Sequence, residues 1–286
     1  MKISVIVPVF NTSGFIDRCI SALLEQDYPM GDYEIIAIDN DSSDDSADRL
    51  GRYPITIIRE SKPGSYAARN AGMRIAQGEL LAFTDSDCAP RKDWLSTIAS
   101  ALSDPSVLLV QGKRLPNSNS DLMQAINAYE LRKDELILGG SDPRKFYGYT
   151  NNMGMRRTTW DEFGPFVERD RGADTIFVRS VVDAYSPDVV HYVEGMIIDH
   201  LELGRLRDYF KKMFIYGRSR KRYRHIKATD SLDFSDRLKV FKDVLDANKY
   251  SPLLSVLVIG SLAGCMLAWQ MGSAVGTLET LLPGDP

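Results

Sequence analysis

Two aspartates one residue apart, Asp85 and Asp87, come directly after an apolar run at residues 79–83. The run predicts a buried strand, and ligands of open α/β sheets gather where strands end at their carboxyl edge. Adjacent carboxylates repel each other, and a divalent cation relieves this. Hard oxygen ligands suit Mg²⁺ or Mn²⁺, which also bridge phosphate oxygens. The segment favours a metal–diphosphate site, although Asp-Ser-Asp is also typical of a solvated turn.

Polar loops follow three of the expected strands, and the carboxyl ends of parallel strands meet at one edge of a sheet. The three loops are Pro8-Val9-Phe10-Asn11, Asp39-Asn40-Asp41 and Asp85-Ser86-Asp87. We expect them to place a base-reading carboxylate or amide, a ribose contact and a metal site side by side. Lys62 and Arg69 lie just before the acidic strand, where they could meet phosphate. Together these features predict a nucleotide-diphosphate site without a Walker loop.

Strands and helices alternate through the first 110 residues. Apolar runs predict strands at residues 3–9, 33–38, 55–58, 79–83 and 107–110, with helices after residues 11, 44, 65 and 93. This alternation predicts an α/β fold with a mostly parallel, Rossmann-like sheet and helices on both faces. No Gly-x-Gly-x-x-Gly follows the first strand, so a dinucleotide site of that type is not supported.

Composition narrows the function class. The chain has 286 residues, 44% of them hydrophobic and 26% charged, which is enough for a full core. A formal net charge of −4 argues against a general nucleic-acid binder. Cys19, Cys88 and Cys265 have neither metal-ligand spacing nor the pattern of a disulfide framework, which favours a reducing compartment.

Beyond residue 112 the pattern is less regular. Residues 121–138 read as a helix, and Arg171-Gly172-Ala173-Asp174 opens another. A carboxylate in a first helical turn is favoured by the helix dipole, so from the residues alone Asp174 is explained more readily by helix structure than by chemistry.

Five ordered motifs across residues 3–204 resemble the family 2 glycosyltransferases, which have the GT-A fold. The motifs are Ser4-Val5-Ile6-Val7-Pro8-Val9-Phe10-Asn11, Ile38-Asp39-Asn40-Asp41-Ser42-Ser43-Asp44, Pro63-Gly64-Ser65-Tyr66-Ala67-Ala68-Arg69-Asn70-Ala71-Gly72, Thr84-Asp85-Ser86-Asp87 and Gly172-Ala173-Asp174. The resemblance implies inverting transfer of a sugar from a nucleotide diphosphate sugar.

The resemblance also implies a role for individual residues. Asp174 would be the general base, Asp87 would hold the metal, and Asp85 would contact the ribose or, through water, the metal. The nucleotide-sugar contacts would be Pro8, Val9, Asn11, Asp39, Asn40, Lys62, Arg69, Asp85 and Ser86. His200 resembles a late histidine that completes the metal or phosphate site, although a lone histidine is as often structural.

The chain departs from the family pattern at two positions. The pair after the second strand is commonly Asp-Asp, and here it is Asp39-Asn40, whose amide both donates and accepts. Ala173 stands where a glutamate often precedes the catalytic carboxylate. Asn152 and Arg156 fall where the family often contacts sugar or acceptor, although Arg156-Arg157 could equally be a solvated pair.

The C-terminal third predicts membrane contact. Residues 205–227 are densely basic, with apolar residues at helical spacing, which is typical of an amphipathic helix on an anionic membrane or of a core-packed helix with a charged face. A second amphipathic helix is expected at 234–248. Residues 252–282 are almost free of charge, and such a length favours a membrane span or a membrane-dipping segment. Gly260-x-x-x-Gly264 and Gly272-x-x-x-Gly276 could pack against a partner helix or a second copy.

We therefore expect a catalytic domain at 1–204, with a nucleotide-sugar half at 1–111 and an acceptor half at 112–204. Membrane-surface helices follow at 205–250, and a membrane segment at 251–282. Basic residues before that segment and acidic ones after it favour a cytoplasmic catalytic domain at the inner membrane. The expected enzyme uses Mn²⁺ or Mg²⁺ and extends a lipid-linked or cell-surface glycan. Two alternatives stay open, a nucleotidyltransferase and a membrane scaffold with a non-catalytic nucleotide-sugar-binding domain.

Overall fold

The computed structural model describes residues 1–168, 171–202, 204–223, 232 and 234–281. The strands are β1 Ile3–Val9, β2 Tyr33–Asp39, β3 Thr56–Arg59, β4 Leu80–Thr84, β5 Cys88–Pro90, β6 Leu109–Pro116, β7 Asn152–Arg156 and β8 Val190–His200. The helices are α1 Ser13–Leu24, α2 Ser46–Leu50, α3 Ser65–Ile75, α4 Trp94–Ala101, α5 Asp121–Leu138, α6 Arg157–Phe163, α7 Ala173–Ala184, α8 Leu206–Tyr223, α9 Phe234–Asn248 and α10 Pro252–Leu281. Short 3₁₀ turns lie at Pro143–Lys145 and Pro187–Val189.

The strands form one mixed sheet in the order β3-β2-β1-β4-β7-β6-β8-β5. The first four strands of that order are parallel. β7 runs antiparallel to both β4 and β6, and β5 runs antiparallel to β8. The expected α/β fold is confirmed, with the parallel character concentrated in the half that carries the polar loops. Strand β5 was not expected, because three residues are too few to show a period of two.

Helices cover both faces of the parallel half. Val5 and Val7 share a buried cluster with residues of α1 and α4. Ile6 of β1 and Ile38 of β2 face the opposite side of the sheet, toward α3. A Cβ added to Gly72 of α3 would lie 2.7 Å from Cδ1 of Ile38 and 3.1 Å from Cγ2 of Ile6. Successive strand residues point to opposite faces, so a strand buried on both sides must be largely apolar, and Ser4 is the one polar residue of β1.

The chain divides into two compact units. Unit 1 contains residues 1–115 and 146–201, and unit 2 contains residues 116–145 and the chain from 202 onward. We expected residues 116–145, which include α5, in the acceptor half of the catalytic domain. By compactness they group instead with the C-terminal helices.

Within unit 2, α8 and α10 approach each other closely through glycines. A Cβ added to Gly217 would lie 1.9 Å from the carbonyl oxygen of Trp269, and one added to Gly272 would lie 2.0 Å from that of Phe214. Gly276 makes a similar approach to Arg218. The small-residue spacing that we expected to face a partner helix therefore packs, over this half of α10, against α8 of the same chain.

One helix of the described residues, Pro252–Glu279, is long and apolar enough to cross a membrane, with a mean hydropathy of 1.9. The core helix of a soluble protein meets the same test of length and composition, but only 17% of the most apolar window of this helix is buried. The expected basic stretch is described as far as residue 223. Arg224 and residues 225–227 lie outside the described residues, as does residue 282 at the end of the expected membrane segment.

The glycine contact of α10 predicts opposite effects for one substitution at two positions. Gly272→Ala should lower the free energy of unfolding of unit 2 by about 1–3 kcal/mol, because the new methyl group overlaps backbone of α8. Gly260→Ala should be neutral or stabilising by about 0.5–1 kcal/mol, because nothing lies within 4 Å of the added Cβ and alanine favours helix. Thermal unfolding of both variants in detergent micelles measures the difference. Equal stability of the two variants would contradict the packing of α10 on α8.

Candidate functional site

The three polar loops lie at one edge of the sheet and are tied together by side chains. β1 pairs in parallel with β2 and β4, which brings the carboxyl ends of all three strands to the same side. The side-chain oxygen of Asn11 accepts hydrogen bonds from the amides of Ser43 (2.8 Å) and Asp44 (3.3 Å). The hydroxyls of Thr12 and Ser86 lie 2.8 Å apart. The loop after β1 thus bridges the loops after β2 and β4.

Asn11 has the backbone conformation that such a bridge requires. Its φ of +51° lies in the left-handed region, which asparagine tolerates better than most residues. The two residues named with it as nucleotide contacts, Pro8 and Val9, are buried at the end of β1. Phe10 between them and Asn11 is 59% exposed. An exposed aromatic ring at this edge is suited to stack on a nucleobase, although Phe10 was not among the predicted nucleotide contacts.

Asn40 holds a neighbouring loop. Its side-chain nitrogen donates to the carbonyl oxygens of Glu60 (2.6 Å) and Lys62 (2.8 Å), and its oxygen accepts from the amide of Gly64 (2.8 Å). Both amide protons are therefore used, and the side chain is 6% exposed. These contacts indicate that Asn40 positions the loop rather than reads the base. They also explain why an amide stands here, because a carboxylate could not donate to the two carbonyl oxygens.

The loop held by Asn40 continues toward the segment after α6. Lys62 forms an ion pair with Glu168, which also accepts a hydrogen bond from Asn70 at 3.0 Å. Asn70 exchanges two further hydrogen bonds with the backbone of Phe166, at 2.9 and 3.1 Å. Asn70 and Lys62 lower the pKa of Glu168 below its usual value, which keeps its carboxylate ionised. Lys62, expected at phosphate, is paired with this carboxylate.

An ion pair with a buried arginine links the acidic motif to α3. Arg69 is 2% exposed and pairs with Asp85. The guanidinium also donates to the carbonyl oxygen of Ser65 at 3.2 Å and lies 5.4 Å from the ring centre of Tyr66. We expected Arg69 to orient the nucleotide, and its described contacts orient Asp85. Asp39, at the neighbouring strand end, is 7% exposed and accepts from the amide of Ser42 at 3.2 Å.

Asp87, Cys88 and His200 form a group whose ligand atoms all lie within 4.8 Å of one another. The register between β5 and β8 places His200 next to the acidic motif, because Cys88 of β5 pairs with His200 of β8. The amide of Leu201 also donates to the carbonyl oxygen of Asp87 at 2.8 Å. Nδ1 of His200 lies 3.7 Å from Oδ2 of Asp87. Burial raises the pKa of the Cys88 thiol well above its usual value, so the carboxylate and the imidazole are the available donors. Oxygen and nitrogen donors fit Mn²⁺ better than Mg²⁺.

Asp174 lies in the first turn of α7, whose start depends on Gly172 with φ of +87°. Its carboxylate accepts hydrogen bonds from the amides of Thr175 (2.8 Å) and Thr150 (3.4 Å), and the hydroxyl of Tyr66 lowers its pKa. Desolvation raises the pKa of Asp174, and these hydrogen bonds and the charge of Arg69 only partly oppose the rise. Tyr66 and Arg69 sit on one turn of α3, so the same turn connects Asp174 with Asp85.

The two expected acceptor contacts are corrected. Asn152 is fully buried, accepts from the indole of Trp94 at 2.8 Å and donates to the carbonyl oxygens of Lys113 and Met196, each at 2.9 Å. Arg156 pairs in register with Leu80, the first residue of β4, and donates to three backbone carbonyls there. Asn152 is a core residue, and Arg156 lies at the opposite end of the sheet from Asp85.

Sequence reasoning missed the residues that support Asp174. Tyr66 and Thr150 belong to different segments of the chain, and neither carries a charge that would mark it. The tyrosine falls inside a quoted motif, directly after the helix start at Ser65, and that position was the available signal. No comparable signal identifies Thr150, because it contributes a backbone amide.

The contacts of Asn40 predict a sharp difference between two asparagine-to-aspartate changes. Asn40→Asp should lower the free energy of unfolding of the chain by about 1–3 kcal/mol, because a carboxylate cannot donate to the carbonyls of Glu60 and Lys62. Asn11→Asp should cost less than about 0.5 kcal/mol, because the Asn11 side chain acts through its accepting oxygen. Chemical denaturation of both variants tests the difference. A tolerated Asn40→Asp would show that the amide does not hold the loop.

Comparison with known proteins places this arrangement in a family. The profile of the family described as "Glycosyl transferase family 2" matches residues 4–163. The chain is 30% identical over 204 residues to the glycosyltransferase AglE of Haloferax volcanii, covering 68% of this chain and 66% of that protein. It is 29% identical over 121 residues to the poly(ribitol-phosphate) β-N-acetylglucosaminyltransferase TarS of Staphylococcus aureus, covering 40% of this chain and 21% of that protein. The chain thus spans less than two thirds of the length of these curated relatives.

Solved structures with low sequence identity share the fold. The mannosyltransferase PcManGT from Pyrobaculum calidifontis, in complex with GDP-Man and Mn²⁺, superposes with a TM-score of 0.64 at 16% identity. The alignment covers 99% of this chain and 88% of that one. S. aureus TarS 1–349, in complex with UDP-GlcNAc, gives 0.55 at 17% identity, covering 97% of this chain and 92% of the other.

The expected resemblance is therefore confirmed by an independent match over more than half of the chain, and the mixed sheet agrees with the GT-A architecture of the structural neighbours. This chain belongs to glycosyl transferase family 2.

Proposed function

We propose that this family 2 glycosyltransferase moves a sugar from a nucleotide diphosphate sugar to a hydroxyl of a lipid-linked or cell-surface glycan, with inversion at the anomeric carbon. One observation carries the proposal. A single turn of α3 connects the acidic motif, through Arg69 and Asp85, with a half-buried carboxylate of raised pKa, through Tyr66 and Asp174. The donor phosphates and the acceptor hydroxyl would meet between these two carboxylates.

The donor would lie along the edge formed by the loops after β1, β2 and β4. Phe10 offers an aromatic face to the base, and Asp39 and Asn11 offer accepting oxygens. Similar folds have been solved with UDP-GlcNAc and with GDP-Man, which supports a nucleotide diphosphate sugar without fixing the base.

Asp87 and His200 would hold the divalent ion, for which Mn²⁺ is our first choice. Their donor atoms fit this ion, and the Mn²⁺ complex of the mannosyltransferase with the similar fold supports the choice. When bound, the ion supplies positive charge that offsets the charge developing on the leaving diphosphate. Asp85 is kept in place for the ribose by Arg69, which leaves Asp87 as the carboxylate nearest the histidine.

Asp174 would take the proton from the acceptor hydroxyl as that oxygen attacks the anomeric carbon. Its raised pKa makes the carboxylate a stronger base than an exposed aspartate. The amides of Thr150 and Thr175 fix its orientation. The hydroxyl of Tyr66 stabilises the ionised form, which is the form that catalysis needs.

The acceptor assignment rests on unit 2. The apolar length of α10 and the basic residues of α8 support attachment of the enzyme to the inner face of a cell membrane, with the catalytic unit in the cytoplasm. An enzyme held there would meet acceptors that are themselves anchored in lipid. The family assignment favours sugar transfer over the nucleotidyltransferase alternative, and the non-catalytic scaffold is left to experiment.

The metal assignment predicts a loss of Mn²⁺-dependent nucleotide binding. His200→Ala and Asp87→Asn should each weaken UDP or GDP binding in Mn²⁺ by about tenfold or more, because each removes a ligand atom of the group. Asp199→Asn is the matched control, since it precedes His200 on the same strand and points to the other face of the sheet. Titration calorimetry with and without chelator measures the change. Unchanged Mn²⁺-dependent binding in both variants would refute the assignment.

The base assignment predicts how Asp174→Asn changes rate and stability. Sugar transfer should fall by about 10²- to 10⁴-fold while donor binding is retained. Wild-type activity should fall as the pH is lowered through the raised pKa of Asp174, because the base must be ionised.

The Asp174→Asn variant should also be more stable than wild type near neutral pH. Folding disfavours the charged form, and this penalty disappears at low pH, where both states are protonated.

A panel of nucleotide sugars with Mn²⁺, assayed for slow donor hydrolysis, provides the measurement, and Asp161→Asn, an exposed residue of α6, is the control. Hydrolysis of one donor that is lost with Asp174→Asn supports the base and identifies the donor. A chain that binds nucleotide diphosphate but neither hydrolyses nor transfers any donor would overturn the enzyme and leave the non-catalytic scaffold, whereas a chain that binds no nucleotide diphosphate would refute both.

A further inference from the structure

The outward, exposed face of α10 is apolar from Leu253 to Leu278 except for Gln270. The exposed large side chains are Leu253, Val256, Leu257, Ile259, Met266, Leu267, Met271, Val275 and Leu278. Between residues 252 and 278 the helix carries no charged residue, and Gln270 is the one amide side chain among them. A patch of this size is far larger than isolated surface hydrophobic residues explain, so something covers it.

The opposite face of α10 is covered by unit 2 itself. Cys265 packs into a buried cluster with Met123 and Ile126 of α5 and Tyr209 of α8. A Cβ added to Gly264 would lie 3.0 Å from the ring of Phe210. These contacts explain why α10 is apolar on more than one side. One side packs against protein, and the other is suited to an apolar medium.

The packing of α8 determines how α10 can meet a bilayer. The pairs Phe210–Gly264, Phe214–Gly272 and Arg218–Gly276 show that α8 and α10 advance in the same direction, side by side. Lys211 and Lys212 directly follow Phe210, and Gly264 lies about 18 Å along a helix of about 42 Å. If α10 crossed the membrane, α8 would carry two lysines to the middle of the hydrocarbon, which is strongly unfavourable.

We propose that α10 lies in the plane of an anionic bilayer, within one leaflet, so that both of its ends stay on the same side of the membrane. The proposal rests on the membrane attachment suggested above and replaces a crossing helix by an interfacial one. Only the outward face then enters lipid, and the cations of α8 stay in the aqueous layer.

Charge complementarity favours lipid over a second copy of the chain. From Arg205, which directly precedes α8, to Ser219 the chain carries five basic residues and one acidic residue, Asp208, and Arg205, Arg207 and Lys211 are exposed. Positive residues beside an apolar face suit anionic headgroups, whereas two such faces brought together in a dimer would bring cations together.

Labelling of engineered cysteines tests the orientation. Ser251→Cys lies just before α10, and Asp285→Cys lies beyond the described residues. The three native cysteines are buried, so wild type measures the background. With a membrane-impermeant maleimide on intact cells and on everted vesicles, we expect both engineered cysteines to react in the everted vesicles only. Labelling of Asp285→Cys from the opposite side to Ser251→Cys would establish a crossing helix and overturn the proposal.

Vesicle flotation of the full chain tests the occupant with a matched pair of substitutions. Met271→Glu places a charge on the outward face, and Met30→Glu places the same charge on an exposed methionine of unit 1. In phosphatidylglycerol vesicles we expect Met271→Glu to weaken binding by about tenfold or more and Met30→Glu to leave it unchanged. Nucleotide diphosphate binding should be the same in all three proteins.

Two outcomes would overturn the lipid assignment. Equal flotation of the three proteins would show that the outward face does not meet lipid. A wild-type chain that stays out of vesicles but is a dimer by light scattering, dissociated by Met271→Glu, would assign the face to a second copy. In either case intact nucleotide binding would leave the proposed transferase chemistry standing, whereas loss of nucleotide binding in wild type would refute that chemistry alone.

Discussion

The ion pair between the buried Arg69 and the half-buried Asp85 is the constraint on which the rest of the site depends. An unpaired guanidinium at 2% exposure would carry a large desolvation cost, so Asp85 must stay at the end of β4. The same arginine lies beside Tyr66, whose hydroxyl lowers the pKa of Asp174. One helical turn therefore fixes both the acidic motif and the carboxylate that we assign as the base. Removing either partner of the ion pair would disturb both halves of the reaction at once.

The site also concentrates features that are unfavourable for stability. Desolvation raises the pKa of Asp174, and Asn11 has a left-handed backbone. Backbone amides stabilise both features. The amides of Thr150 and Thr175 donate to the Asp174 carboxylate, and the amides of Ser43 and Asp44 donate to the side-chain oxygen of Asn11. The surrounding hydrogen bonds supply the rigidity that positioning a donor sugar would need. Asn40 extends this support outward, because its amide holds the loop that carries Lys62.

The C-terminal unit illustrates how one sequence property can have two structural explanations. The glycine spacing in α10 is typical of helix association, and here it serves α8 of the same chain. Nine large apolar side chains of α10 are exposed, whereas Val258 and Cys265 are buried, so the apolar composition that suggests a membrane span is divided between protein contact and an exposed face. The physical reason is geometric, since helices pack through one stripe and leave the other to the surroundings. The number and the partners of these stripes cannot be read from hydropathy alone.

The sequence by itself determined the parallel half of the sheet, because β1, β2 and β4 are apolar runs that end in polar loops, and it determined the family through five ordered motifs. It also placed α5, α9 and the start of α7 at the correct positions, since these depend on local periodicity and on Gly172. Only the tertiary structure decided that His200 reaches Asp87, that Asn152 is a core residue and that Arg156 lies at the far end of the sheet. Those outcomes depend on strand register between residues far apart in the chain. Strand register is set by the packing of the whole sheet. A polar side chain can therefore take part in the site only if register places it at the sheet edge that carries the loops after β1, β2 and β4.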